Sequence, residues 1–429
     1  MGWTKAPLGD LGTWRGGGTP SKAVPRFWDG DIPWVSPKDM KVDRIRDSID
    51  HISREAVERS ATNLVSTGAV LVVTRSGILS HSLPVAVTDG EVALNQDLKA
   101  LVPAVGVMPE YVAWALRSAA PRVLRECSKA GTTVSNIDTN RMLGFQVPLA
   151  PTNEQRRIVA AIEEHLSRLD SADASVALAL RRLHSHREAV LRQAFSVSAP
   201  RVGVGDVASL ADGPFGSNLK TSHYTTSGPR VIRLQNIGDG AFRDEYAHIA
   251  AAHFESLRKH EVVAGDVVAA SLGEEAPRAC RIPAYVGPAI VKADCIRIRP
   301  RDGVDAAYLM WSLNSPQIKE LASARIKGIG RPRLGLGGLR QLLFPLPPLA
   351  EQRRIVAELE EQLSAIDALR AALERAQRRS ATLRRAILER AFRGELVPQD
   401  PSDEPASMLM QRIQTDRFSQ TSGDDRARQ

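Results

Sequence analysis

The chain repeats itself at one fixed offset, and nothing else in it restricts the fold as much. Asn153-Glu154-Gln155-Arg156-Arg157-Ile158-Val159-Ala160 and Ala350-Glu351-Gln352-Arg353-Arg354-Ile355-Val356-Ala357 agree at seven of eight positions, 197 residues apart. The same offset relates Gly68 to Gly265, Asp97 to Asp294 and Pro103 to Pro300. It relates Tyr111, Trp114, Leu116 and Ser118 to Tyr308, Trp311, Leu313 and Ser315, then Gly131 to Gly328 and Pro148 to Pro345. One register kept over such a span means one module used twice with few net insertions. The module openings differ: Gly16-Gly17-Gly18-Thr19-Pro20-Ser21-Lys22 faces Gly213-Pro214-Phe215-Gly216-Ser217-Asn218-Leu219. Two readers of different ligands on one scaffold would diverge in this way, and so would exposed loops under neutral drift.

Each module first shows short apolar runs broken by Gly and Pro, such as Ala69 to Val73 and Val262 to Val268. These read as strands, with short helices expected at Pro109–Arg117 and Ala306–Leu313, giving a mixed α/β (α+β) globule. The pattern then changes. Asn153 to Phe195 and Glu351 to Arg393 contain neither Pro nor Gly. In the first stretch Ile162, Leu166, Leu169, Val176, Leu180, Leu183, Val190 and Ala194 recur in steps of four and three, interrupted by Asp173 and Arg187. In the second, Leu359, Leu363, Ile366, Leu373 and Ile387 keep the register, interrupted by Arg370, Gln377, Ser380 and Arg384. Each is a heptad seam on a helix of ~42 residues, ~63 Å long. Proline-rich segments precede both helices, and Glu154 and Glu351 fall in the first turn, where the helix dipole favours an anion. A generic oligomerisation coil would show such seams. Two of them at equal positions in a duplicated chain suggest antiparallel pairing within one molecule.

At 429 residues two or three domains are expected, and 43% apolar with 25% charged residues is ordinary for a soluble protein. No apolar run suits a membrane span, and Met1 to Trp14 does not resemble a signal peptide. Three scattered cysteines, Cys127, Cys280 and Cys295, fit a reducing cytoplasmic compartment better than a disulfide framework. The net charge of +8 permits phosphate binding, as it permits an arginine-rich protein that binds no nucleic acid.

Catalytic motifs are missing. Asp212-Gly213-Pro214-Phe215 resembles a methyltransferase Asn-Pro-Pro-Tyr site only superficially, since Gly replaces the first Pro and no cofactor-binding glycine motif precedes it. Gly16-Gly17-Gly18 does not follow a strand and open a helix, and no phosphate loop is present. His184 with His186, or His248 with His253, lack accompanying ligands at metal spacing and read as surface histidines. The expectation is no catalytic residue, no metal and no cofactor in this chain.

With these features in place, the chain resembles the specificity (S) subunits of type I restriction-modification systems, from about Leu8 to Ile413. The resemblance rests on Gly18-Thr19-Pro20-Ser21 with Ile32-Pro33-Trp34-Val35, and on Asp212-Gly213-Pro214-Phe215-Gly216-Ser217. It rests also on Phe344-Pro345-Leu346-Pro347-Pro348 leading into the Glu351 helix, and on Ala391-Phe392-Arg393-Gly394-Glu395-Leu396-Val397-Pro398. Copy two lacks the Thr-Pro-Ser and Trp-Val elements, having Arg230-Val231-Ile232-Arg233 opposite Pro33-Trp34-Val35-Ser36. The resemblance implies target recognition domains at 1–151 and 197–348, spacer helices at 152–196 and 349–395, and a tail with a short helix at 396–429. Each domain would read half of a split double-stranded DNA target. Two M subunits with S-adenosylmethionine and R subunits with ATP and Mg would do the chemistry.

Sequence reading needs polar side chains on exposed loops. The candidates in copy one are Thr19, Ser21, Lys22, Lys38, Arg75, Ser76, Thr132, Thr133, Ser135 and Asn136. Those in copy two are Ser217, Asn218, Lys220, Arg233, Gln235, Asn236, Lys327, Arg331 and Arg333, the last three in the densest basic loop of the chain. A second basic group, Arg378, Arg379, Arg384, Arg385, Arg390 and Arg393, reads as a solvated helix face or a docking surface. The rival functions are a coiled-coil adaptor with no DNA role and a DNA methyltransferase with an unrecognised site.

Overall fold

The computed structural model describes residues 2–129 and 134–427, except for the side chains of Ser217 and of residues 418–427. Packing divides the chain into two compact units. One joins residues up to 174 with those from 377 onward, and the other comprises 175–376. The division therefore falls inside the long helices, not at their ends.

The first unit holds a five-stranded sheet ordered Gly12–Gly16, Leu98–Pro103, Val70–Val73, Val85–Thr88 and Arg44–Ile45. Val70–Val73 is buried at every position, as a central strand covered on both faces requires. A second sheet is ordered Asp50–Ile52, Ile32–Val35, Val92–Leu94 and Leu64–Val65. The second unit repeats both. Ala208–Asp212, Cys295–Pro300, Val267–Ala270 and Arg278–Arg281 form one sheet, and His248–Ile249, Tyr224–Ile232, Ala289–Val291 and Glu261–Val262 form the other. The repeat extends to single residue pairs. The one parallel pairing of the second sheet matches Trp34 with Ala93 and Val35 with Leu94, and in the other unit Val231 with Ile290 and Ile232 with Val291. Val262 to Val268 is thus two strands around a turn, where the sequence suggested one.

The helices expected at 109–117 and 306–313 differ in length. The first runs Pro109–Cys127, passing through Pro121. The lost backbone bond is tolerated because the extension buries Val123 and Cys127. In the second unit Pro316 restarts the helix, giving Ala306–Asn314 and Pro316–Ser323.

Both long helices have 43 residues, Thr152–Ala194 and Leu349–Ala391. In the first unit Ile158, Val159 and Ile162 share a core with Ala391 and Ile387. Farther along, Asp173 accepts from Ser380 at 3.0 Å and Arg384 at 2.7 Å, and Asp170 lies 2.8 Å from Arg384. The helices therefore pair antiparallel within one chain. In the second unit Val190, Leu191 and Phe195 share a core with Ile355, Leu359, Leu363 and Ile366. Arg187 there lies 3.8 Å from Asp367 and stands over the Trp311 ring. Asp173 and Arg187, the polar interruptions of the first seam, thus find partners across the helix pair.

The near-identical Glu-Gln-Arg-Arg start is explained by its glutamine. Gln155 is 0% exposed; its Oε1 accepts from Met108 N–H at 2.9 Å and its Nε2 donates to Ala150 O at 2.9 Å. Gln352, 1% exposed, accepts from Asp305 N–H at 2.8 Å and donates to Pro347 O at 2.8 Å and Gly303 O at 3.0 Å. Tyr111 and Tyr308 donate to Pro148 O and Pro345 O beside them. Each glutamine ties a helix start to its own globule. The neighbouring glutamates part company. Glu351 stays partly exposed, and its hydrogen bonds with Arg354 hold its carboxyl below the usual range. Glu154 is 2% exposed beneath Trp3 and the Asp403 segment, and burial pushes its pKa up. That cover comes from the tail: Asp403 pairs with Arg157 at 2.6 Å, and Ala406, Leu409 and Ile413 of helix Ala406–Ala427 join the core.

Candidate nucleic-acid interface

In each unit the same five loops meet at one end of the first sheet. In the first unit the strand Val70–Val73 ends at Thr74, whose N–H and Oγ1 both donate to Asp97 O, at 2.8 and 3.1 Å. Arg75 N–H donates to the same oxygen at 3.2 Å. Ile137 N–H donates to Thr74 O at 2.8 Å, and Ser76 N–H to Ser135 O at 3.1 Å. In the second unit Ser271 N–H and Oγ donate to Asp294 O at 2.9 and 3.1 Å. Leu334 N–H donates to Ser271 O at 2.8 Å, and Gly273 N–H to Pro332 O at 2.9 Å. Every partner in the second set lies 197 residues beyond its counterpart. The frame is backbone and small hydroxyls, so the side chains on it are free to differ.

The opening loops join this frame by close backbone approach. A Cβ on Gly17 would lie 2.0 Å from Asn95 O, and one on Gly213 would lie 2.1 Å from Lys292 O, so only glycine fits. Gly18 is held twice: its N–H donates to Leu94 O at 2.8 Å, and its O accepts from buried Trp34 Nε1 at 3.0 Å. Trp34 therefore belongs with the Gly-Thr-Pro-Ser run because it anchors that run. The fifth element is a turn in which Asp39 Oδ2 accepts from Ser36 N–H at 2.8 Å and, equivalently, Asn236 Oδ1 accepts from Arg233 N–H at 2.9 Å.

The structure sorts the candidates accordingly. In the first unit Thr19 donates to Gln96, Arg75 Nε lies 4.0 Å from Asp97, and Asn136 pairs through its backbone with Arg75. Lys38 is exposed at the turn tip, and Lys22 stands 5.9 Å from the Trp28 ring centre, beside exposed Ser21. Ser76 spends its hydroxyl capping Ile78 N–H, and Ser135 contributes its carbonyl. Thr132 and Thr133 lie outside the described residues, as does the side chain of Ser217. In the second unit Gln235 is exposed at the place of Lys38, and Arg233 donates to Tyr246 O at 3.1 Å. Asn218 and Lys220 are exposed, their backbones tied to His253 and His223. Lys327, Arg331 and Arg333 sit on one hairpin. Asn236 is corrected: it is 0% exposed, and its amide also donates to Arg243 O and Glu245 O, so it holds the turn and has no edge to offer a ligand.

Residues that the sequence reading passed over complete the site. The carboxylate of Asp294, nearly buried, receives Arg331 at 2.6 Å and also Arg333, whose guanidinium lies 5.5 Å from the ring centre of exposed Phe215. Two guanidinium charges against one carboxylate leave the hairpin base net positive. Burial raises the pKa of nearby Asp212 even with Arg333 beside it. The repeat had already paired Asp97 with Asp294, and an acid fixed in both copies was a usable signal. Among the described residues no cluster of three metal-ligating side chains occurs, and no helix is long and apolar enough to cross a membrane.

The fold is a duplicated scaffold with a loop cluster in each unit and two long helices that pair within the chain. Residues 1–173 match the family described as type I restriction modification DNA specificity domain. The chain is 40% identical over 158 residues to the EcoR124I/EcoR124II specificity subunit of Escherichia coli, a match covering 37% of this chain and 39% of that one. It thus spans about two fifths of that relative's length. Over 97% of its own length and 96% of the relative's it is 23% identical to the StySPI specificity subunit of Salmonella potsdam. A chain solved in work on complex assembly and conformational transition of the type I R-M system shares the fold, with a TM-score of 0.73 at 20% identity, covering 92% of this chain and 98% of that one. The chain is thus similar to specificity subunits of type I restriction-modification systems, through the family match of residues 1–173 and a lower likeness over nearly its whole length.

Proposed function

We propose that this chain is the DNA-recognition subunit of a cytoplasmic type I restriction-modification complex, each module reading one half of a bipartite duplex target. The observation that carries this reading is the loop frame built twice with different side chains: Lys38, Thr19 and Arg75 on one, Gln235, Arg331 and Arg333 on the other. Contacts to phosphates position such loops on the duplex, and contacts to base edges select the sequence. The antiparallel helices set the distance between half-sites and dock two methyltransferase subunits. Methylation with S-adenosylmethionine, and cleavage with ATP and Mg, belong to partner subunits; this chain supplies the address and does no catalysis. The test is Arg331→Ala with Arg333→Ala in the complex assembled with its methyltransferase. Loss of two cationic contacts lowers affinity at least tenfold and reduces the salt slope by about one to two. Affinity unchanged at moderate salt removes the hairpin from the interface.

A further inference from the structure

One residue on the basic hairpin of the second module packs against no partner among the described residues. Ile329 is fully exposed, at 107% relative exposure, between Gly328 and Gly330, whose φ values are +108° and +78°. Both glycines are in the left-handed region, so the apex turn is built to present this position. The support beneath it is well tied. Lys327 and Arg333 exchange both backbone hydrogen bonds, at 3.0 and 2.9 Å, and Pro332 O accepts from Gly273. Arg331 and Arg333 are anchored on Asp294, and Arg333 also packs over Phe215. A β-branched apolar side chain with few rotamers is thus held out into solvent on a braced, cationic support. Leaving an isoleucine uncovered forgoes a burial gain, and the fold offers no surface that would recover it.

We propose that Ile329 is a wedge that enters a base step of the half-site read by the second module and partly unstacks it, while Lys327, Arg331 and Arg333 hold the flanking phosphates. The inference rests on the DNA-recognition reading above. Apolar side chains inserted between base steps kink duplexes in this way, and pyrimidine–purine steps yield most easily. The position 197 residues earlier is Thr132, a polar residue, so the insertion belongs to one half-site only.

The experiment uses the chain assembled with its methyltransferase and a duplex carrying the target found by methylation mapping. 2-Aminopurine is placed in turn at each step of the second half-site. With the unaltered chain, fluorescence rises at one step. Ile329→Ser removes the rise and weakens binding roughly tenfold, the equivalent of one apolar side chain losing its burial. Ile329→Met restores both, and the melting temperature does not move. Equal fluorescence and affinity for Ile329→Ser overturns the wedge. So does an affinity loss reproduced by replacing thymine with uracil while the 2-aminopurine signal stays, since that marks a methyl contact. If the unaltered complex binds no duplex, the recognition reading falls first, before any variant is compared.

Discussion

Gln352→Ala strands three backbone groups in a dry place. Asp305 N–H loses its acceptor, and Gly303 O and Pro347 O lose their donor. A buried polar group left without a partner costs about 1–3 kcal/mol, so the three together, with some relief from entering water, cost about 3–5 kcal/mol. The matching change in the first module is milder for a visible reason. Gly106 O receives Gln155 only at 3.5 Å, and it keeps a 2.9 Å bond from Thr152 Oγ1. The position equivalent to Thr152 is Leu349, which has no hydroxyl. Gln155→Ala therefore strands two groups and costs about 2–3 kcal/mol. The assay is amide hydrogen exchange of peptides spanning Met108 and Asp305 in each variant, across low urea concentrations. The larger loss falls on Asp305 by about 1 kcal/mol, and adding Thr152→Val to Gln155→Ala closes the gap. Losses below about 1 kcal/mol in both modules would refute the pinning role, and equal losses would refute the Thr152 argument.

Burial raises the pKa of Glu154, so folding favours its neutral form more than the unfolded chain does. That stability is fully present below the unfolded Glu value of about 4.3 and lost as pH rises through the raised folded value. Glu154→Gln accordingly raises the melting temperature at pH 8 and gives no gain at pH 4; a gain that ignores pH would contradict this. Asn236→Ala removes three bonds from a buried turn and lowers stability by about 2–3 kcal/mol in urea unfolding. Its exposed neighbour Gln235→Ala leaves stability unchanged and weakens target binding in a filter assay.

The duplication made most of the architecture legible. An absence of Gly and Pro located both long helices to within two residues, since nothing else breaks a helix so reliably. The seam interruptions Asp173 and Arg187 were visible as polar residues; their partners were not, because antiparallel register is a tertiary fact. Glu154 and Glu351 are identical letters with opposite environments, decided by a tail some 250 residues away that covers only one. In the candidate site, the loops named from the sequence are ones that the fold gathers at the end of the first sheet. The sequence could not separate Gln235, which faces solvent, from Asn236, which closes the turn, since both are amides in one exposed-looking run. Base reading calls for hydrogen-bonding side chains, which gives the apolar Ile329 and Phe215 and the acid Asp294 no mark as site residues in the sequence.

The most direct test of the two-reader account is methylation mapping in cells expressing this chain with the methyltransferase subunits proposed as its partners. The loops 213–220, 233–236 and 325–334 of the second module are then exchanged for those of a type I specificity subunit. The account predicts a target of two short blocks separated by a gap, of which the exchange changes one block and leaves the other block and the gap intact. A single continuous target, or a change in both blocks, would contradict it.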